Sequence, residues 1–103
     1  AAAVQCARMG KSVVVVEPGR HLGGLTSGGL GYTDSGDKSV VGGIAREFYR
    51  RVKKHYDDPA AWGHEPRERF RGHKPADVAM WVFEPKVAER LLRDWLAELK
   101  VPV

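Results

Sequence analysis

Gly10-Lys11-Ser12-Val13-Val14-Val15-Val16-Glu17 runs directly into Pro18-Gly19-Arg20-His21-Leu22-Gly23-Gly24-Leu25-Thr26-Ser27-Gly28-Gly29-Leu30-Gly31. Residues 12–16 form an almost continuous β-branched run, which suits a parallel strand covered on both faces. The run ends in a carboxylate, Glu17, and five glycines follow within residues 23–31. An acidic residue at the end of the second strand of a nucleotide-binding fold accepts hydrogen bonds from ribose hydroxyls. A glycine-rich loop lets backbone N–H groups approach a phosphate or a flat ring closely. The two together point to a dinucleotide.

Working upstream, Ala3, Gly10, Val13, Val15 and Glu17 fit the tail of the fingerprint in which a helix leads into a second strand. Ala3 is the small residue that lets the helix lie close to a sheet, and Gly10 ends that helix. Extrapolated backward, the third glycine of G-x-G-x-x-G falls just before Ala1. The spacing therefore predicts that the first strand and the phosphate turn precede this stretch. Val101-Pro102-Val103 reads as the first residues of a further strand, so a truncated C-terminus is expected. Made alone, such a piece is expected to bind the dinucleotide poorly and to fold marginally.

Residues 1–31 resemble the FAD-binding segment of FAD-dependent oxidoreductases of the glutathione-reductase-like superfamily. The resemblance is to the bacterial branch with Gly-Gly-(Leu or Met)-Thr-Ser-Gly-Gly after the acidic residue. Gly42-Gly43-Ile44-Ala45-Arg46-Glu47-Phe48-Tyr49 and Trp81-Val82-Phe83-Glu84-Pro85-Lys86-Val87-Ala88-Glu89 extend it. The resemblance implies an α/β, partial Rossmann-like fold holding the second strand and flanking helices, in one partial FAD-binding domain over residues 1–103. It implies FAD as cofactor, a small-molecule substrate of unknown identity, and no nucleic-acid partner. The cofactor-binding set it implies is Glu17, Arg20, Gly23, Gly24, Thr26, Ser27, Gly28 and Gly29. Glu17 favours a free ribose 2′-hydroxyl over a 2′-phosphate by charge repulsion. Arg20 is placed to neutralise a phosphate or lie over the adenine. The Thr26 and Ser27 hydroxyls have hydrogen-bonding capacity for phosphate or ring heteroatoms.

The rest of the chain is read from its periodicity. Residues 1–9 predict a short alanine-rich helix. Residues 18–41 predict a cofactor loop. Ile44, Ala45, Phe48, Tyr49, Val52 and Tyr56 make one apolar stripe of a helix over residues 44–56, with Arg46, Arg50, Arg51, Lys53 and Lys54 mostly outside it. Asp57-Asp58-Pro59 stops that helix. Residues 60–75 have no period, with Trp62 and Phe70 as anchors, and a short strand is expected within residues 77–83. Pro85 opens the last helix at a position where its missing N–H does no harm. Val87, Ala88, Leu91, Leu92, Trp95, Leu96 and Leu99 form its stripe.

Composition bounds the alternatives. The net charge of +4 is carried by residues 46–74, which hold nine Lys/Arg and five Asp/Glu. That stretch keeps open a basic, non-catalytic module that binds nucleic acid, although interleaved acids favour a solvated face. An NAD-binding Rossmann domain is a second alternative, disfavoured by the glycine loop after Glu17. Cys6 is the single cysteine, so no internal disulfide forms. His21, His55, His64 and His73 lack metal-ligand spacing, and no metal is expected. His21 lies beside the glycine loop, but its offset does not match the histidines through which some relatives attach flavin. No apolar run approaches the ~20 residues of a membrane span. No catalytic acid or base is assignable.

Overall fold

The structure is a computed structural model that describes all residues, Ala1–Val103. It divides into two compact units, one made of Ala1–Gly31 with Glu84–Val103 and the other of Tyr32–Phe83. The first is discontinuous in sequence because the last helix packs on the first.

In the first unit, α1 (Ala2–Arg8) packs against α3 (Pro85–Glu98). Val4 of α1 and Val87, Ala88, Trp95 and Leu96 of α3 are buried. The Arg8 guanidinium lies 5.5 Å from the centroid of the Trp95 ring, a cation–π contact across the two helices. The predicted stripe of α3 is therefore the face that is covered, and Pro85 occupies its first turn as expected.

Both helices of this unit end the same way. At the end of α1, Gly10 takes φ +70, its N–H donates to Ala7 O, and the Lys11 N–H donates to Cys6 O (both 3.0 Å). This is a Schellman turn, and it needs a left-handed residue where Gly10 stands. At the end of α3, the Lys100 N–H donates to Ala97 O and the Val101 N–H to Leu96 O (both 2.9 Å). There the left-handed position belongs to Lys100, at φ 55, the one non-glycine residue with positive φ.

Each turn hands the chain to an extended segment. The Val15 N–H donates to Pro102 O (2.9 Å), so residues 11–17 and 101–103 meet through a backbone bond. No ladder develops, and residues 11–17 carry no strand. Their side chains alternate. Val13 and Val15 are half-buried, whereas Val14 is 61% exposed and Val16 86% exposed. The four valines thus have one covered face, where their sequence predicted two.

The second unit is built on α2 (Gly43–Asp57). Phe48, Val52 and Tyr56 are buried along the predicted stripe, Ile44 and Tyr49 are half-buried, and Ala45 is exposed. Phe48 and Phe83 meet edge to face, with centroids 5.7 Å apart, and Tyr49 lies 4.4 Å from Trp81. Residues 77–83 form no strand. An isolated antiparallel bridge joins Tyr32 and Val82, and the Thr33 N–H donates to Trp81 O (3.0 Å).

Lys53 departs from its expected place outside the stripe, since its side chain is 6% exposed. The reason is Asp57, one turn on, whose carboxylate bonds both the Lys53 ammonium and His73 Nε2, the latter at 2.9 Å. A buried ammonium is tolerated when it is paired and hydrogen-bonded. Burial pushes the Asp57 pKa up, but the bonds from Lys53 and His73 outweigh it and hold the carboxyl below its ordinary value. Trp62 closes the same end as an anchor. Its indole N–H donates to Tyr56 O (2.8 Å), and its ring lies 5.5 Å from Phe70.

Candidate functional site

Glu17 stands exposed at the end of the extended segment, and its Oε1 accepts from the Gly19 N–H at 2.8 Å. A carboxylate has about four lone-pair sites, so this single bond fixes the side chain over its own turn and leaves Oε2 open to a diol. A Cβ on Gly19 would come within 3.1 Å of Glu17 Oε1. A side chain there would crowd the carboxylate.

Downstream, the loop is pinned to α3 by Glu89. Glu89 Oε2 lies 2.8 Å from His21 Nδ1, and Oε1 accepts from the Leu22 N–H at 3.2 Å. Arg93, one turn further along α3, donates to the same Oε1 from Nε (2.9 Å) and Nη2 (2.8 Å), and Nη2 also reaches Arg20 O (3.0 Å). The Glu89 side chain is only 16% exposed. The bonds from His21, then Arg93, then the Leu22 amide, hold its pKa down at about 2. One carboxylate thus gathers residues 20–22 onto the last helix. This anchor is absent from the sequence-based site. The signal for it was the Glu89–Arg93 spacing of four on a helix face.

From that anchor the chain enters a 3-10 turn, Gly24–Thr26. Gly23 precedes it at φ +116, where a Cβ would sit 2.7 Å from both Leu92 Cδ1 and Ser27 Oγ. Gly23 therefore serves close packing against α3. Ser27 is buried, and its hydroxyl donates to Leu22 O at 2.6 Å. That bond closes the loop on itself, so the Ser27 hydroxyl is committed inside the turn. Thr26 is half-buried. Gly24 (φ +57) and Gly29 (φ +129) have nothing within 4 Å of a built Cβ, whereas at Gly28 it would meet Gly24 O at 2.9 Å. The Arg20 guanidinium is exposed. Leu25 and Leu30 flank the loop and are largely exposed.

The eight predicted residues therefore all lie in the first unit, in three groups. Glu17, Arg20, Gly24 and Gly29 are exposed and available to a ligand. Gly23, Ser27 and Gly28 build the turn, the Gly28 N–H donating to Leu25 O (3.2 Å). Thr26 lies in the turn itself. The donor set suits a dinucleotide: an oriented carboxylate for a diol, an exposed guanidinium and open glycine backbone for phosphate, and bare leucines for a flat ring. No cluster of His, Cys, Asp or Glu has a metal-binding arrangement, and no helix is long and apolar enough to cross a membrane.

Residues 1–103 match a protein-family model described as FAD dependent oxidoreductase. No curated protein matches the chain. No solved structure matches it.

Proposed function

The chain belongs to the FAD-dependent oxidoreductase family, and from that premise we propose that residues 17–31 hold the adenosine and pyrophosphate portions of the FAD. When bound, FAD accepts a hydride or two electrons from a substrate and passes them on. The residues of this chain bind and orient it. Glu17 accepts hydrogen bonds from the ribose hydroxyls. Arg20 supplies positive charge to the phosphates, and the backbone at Gly24 and Gly29 comes close to them because no Cβ intervenes. Leu25 and Leu30 gain an apolar cover.

A Rossmann-like arrangement is part of the same proposal. It is supported by the two Schellman turns that launch residues 11–17 and 101–103, and by the Val15–Pro102 bond between them. In such folds a dinucleotide binds outside the carboxyl ends of the strands, the end of residues 11–17 at which Glu17 stands.

The observation that carries the reading is the carboxylate of Glu17, exposed yet oriented by Gly19 N–H at the entrance to the open glycine loop. The test is Glu17→Ala in the whole protein, with flavin content after purification read from absorbance. Loss of a charge-assisted hydrogen bond costs about 1.5–3 kcal/mol, or about ten- to a hundredfold in affinity. The substituted side chain is exposed, so the fold should survive and the flavin should be depleted. Full flavin content would return Glu17 to the role of a surface carboxylate.

A further inference from the structure

The second unit contains a cleft that none of the proposed FAD-binding residues lines. Its volume is about 350 Å³, and Lys38, Arg46, Asp77, Val78, Ala79 and Trp81 form most of its wall. That volume falls in the range of small-molecule sites, roughly 300–1,000 Å³.

We propose that this cleft binds a small organic anion with a flat apolar body and a carboxylate.

Two cations face one carboxylate in the cleft, so the site is net positive. Arg46 is held in place before any ligand arrives. Its Nη1 donates to Val41 O (3.1 Å) and, more weakly, to Lys38 O (3.4 Å). The other edge of the guanidinium, Nε and Nη2, carries three further N–H groups that the protein does not use. That fork matches a carboxylate. Lys38 is the second cation, and it is exposed. Its ammonium lies 5.9 Å from the Trp81 ring centroid, close enough to be drawn over the ring face and exposed enough to swing to an anion.

The framework is fixed on both sides. Asp37 accepts from the Ser39 N–H (2.9 Å) and caps the 3-10 turn Lys38–Val40 that presents Lys38. The Trp81 ring packs against Tyr49, with centroids 4.4 Å apart and planes tilted by 34°, and its backbone carbonyl receives the Thr33 N–H. Trp81, Val78 and Ala79 together offer an aromatic and aliphatic floor to a flat ligand. A ligand without the carboxylate would leave the Arg46 fork unpaired, and this gives the cleft its discrimination.

The experiment is calorimetric titration of the flavin-loaded protein with benzoate, and with benzamide as its neutral isostere. Benzoate should bind saturably and benzamide at least about tenfold more weakly, the expected margin for one charge-assisted pair. Lys38→Ala should weaken benzoate about tenfold, and Arg46→Gln by at least as much, each with flavin absorbance per protein unchanged. Lys74→Ala, an exposed cation outside the cleft wall, should change neither. Because Arg46 also bonds backbone, its variant is read only with an unaltered circular dichroism spectrum, and Lys38→Ala, at an exposed site, carries the test otherwise. Absence of saturable benzoate binding, equal binding of benzamide, or an unaffected Lys38→Ala variant would overturn the proposal. Loss of flavin from Lys38→Ala would overturn it too, by assigning the cleft to the FAD phosphates. Failure of flavin binding in the unsubstituted protein would instead sink the underlying FAD reading.

Discussion

Replacing Gly23 by alanine separates packing from ligand approach within one loop. At φ +116 an L side chain is strained by about 1–3 kcal/mol. The new Cβ would also stand 2.7 Å from Leu92 Cδ1 and from Ser27 Oγ, and 3.2 Å from Ser27 Cβ. Leu92 can turn away. Ser27 is fixed by its 2.6 Å bond to Leu22 O, so relief means breaking that bond or shifting the turn, a further ~1–3 kcal/mol on the scale of overpacked sites. The sum is about 2–6 kcal/mol, a large part of the roughly 5–15 kcal/mol that holds a domain together. Gly24→Ala provides the control. It meets the same kind of backbone at φ +57 but nothing within 4 Å, so only the left-handed cost of about 1–2 kcal/mol applies. Part of that is offset by the lower entropy of the unfolded alanine chain. Urea unfolding followed by circular dichroism gives both values. Gly23→Ala should lower the midpoint well beyond Gly24→Ala. If the two substitutions cost the same, or the order reverses, the turn is not packed on α3 as described.

The same structure carries two further expectations. Lys100→Gly relieves the left-handed strain at the end of α3 and should stabilise the protein by about 1 kcal/mol, read as a rise in the urea midpoint; a fall would show that the Lys100 side chain contributes more than its backbone costs. Acid should release the loop anchor, because the Glu89 pKa lies at about 2 against an ordinary 4.5. A carboxyl whose pKa is depressed on folding contributes stability that is complete above its unfolded value and vanishes as pH falls through the folded one. The midpoint should therefore decline from about pH 4.5 towards pH 2, with Asp57 adding to the decline, and Glu89→Gln should flatten it; a wild-type profile flat over that window would refute the anchor.

The helices were legible in the sequence because each has a clean apolar stripe and a stop signal. Phe48, Val52 and Tyr56 of α2, and Val87, Ala88, Trp95 and Leu96 of α3, are buried where the 3.6-residue period put them. The end of α1 was legible for a local reason, since Gly10 is what a Schellman turn requires. Extended structure was less legible because it depends on neighbours. The valine run at residues 13–16 meets a neighbour through the Val15 N–H and Pro102 O, without forming a strand, and residues 77–83 contribute one bridge. Lys53 was misplaced because its burial depends on Asp57 and on His73, which lies 20 residues away. The candidate site was legible as a composition of glycine and acid. The division of labour inside it was not. Whether a glycine serves close packing, as Gly23 does, or leaves open space beside it, as Gly24 and Gly29 do, depends on which atoms stand beside it. Likewise Ser27 carries the expected hydroxyl but turns it inward, and Glu89 acts on the loop from 67 residues further along the chain.

A structure of the protein with FAD bound would decide whether residues 17–31 hold the cofactor. The predicted result is a Glu17 carboxylate oxygen within about 2.5–3.0 Å of a ribose hydroxyl, with the pyrophosphate against the backbone of Gly24 and Gly29 and the Glu89 bonds to His21 and Leu22 intact. FAD held by other residues, with Glu17 facing solvent, would contradict it.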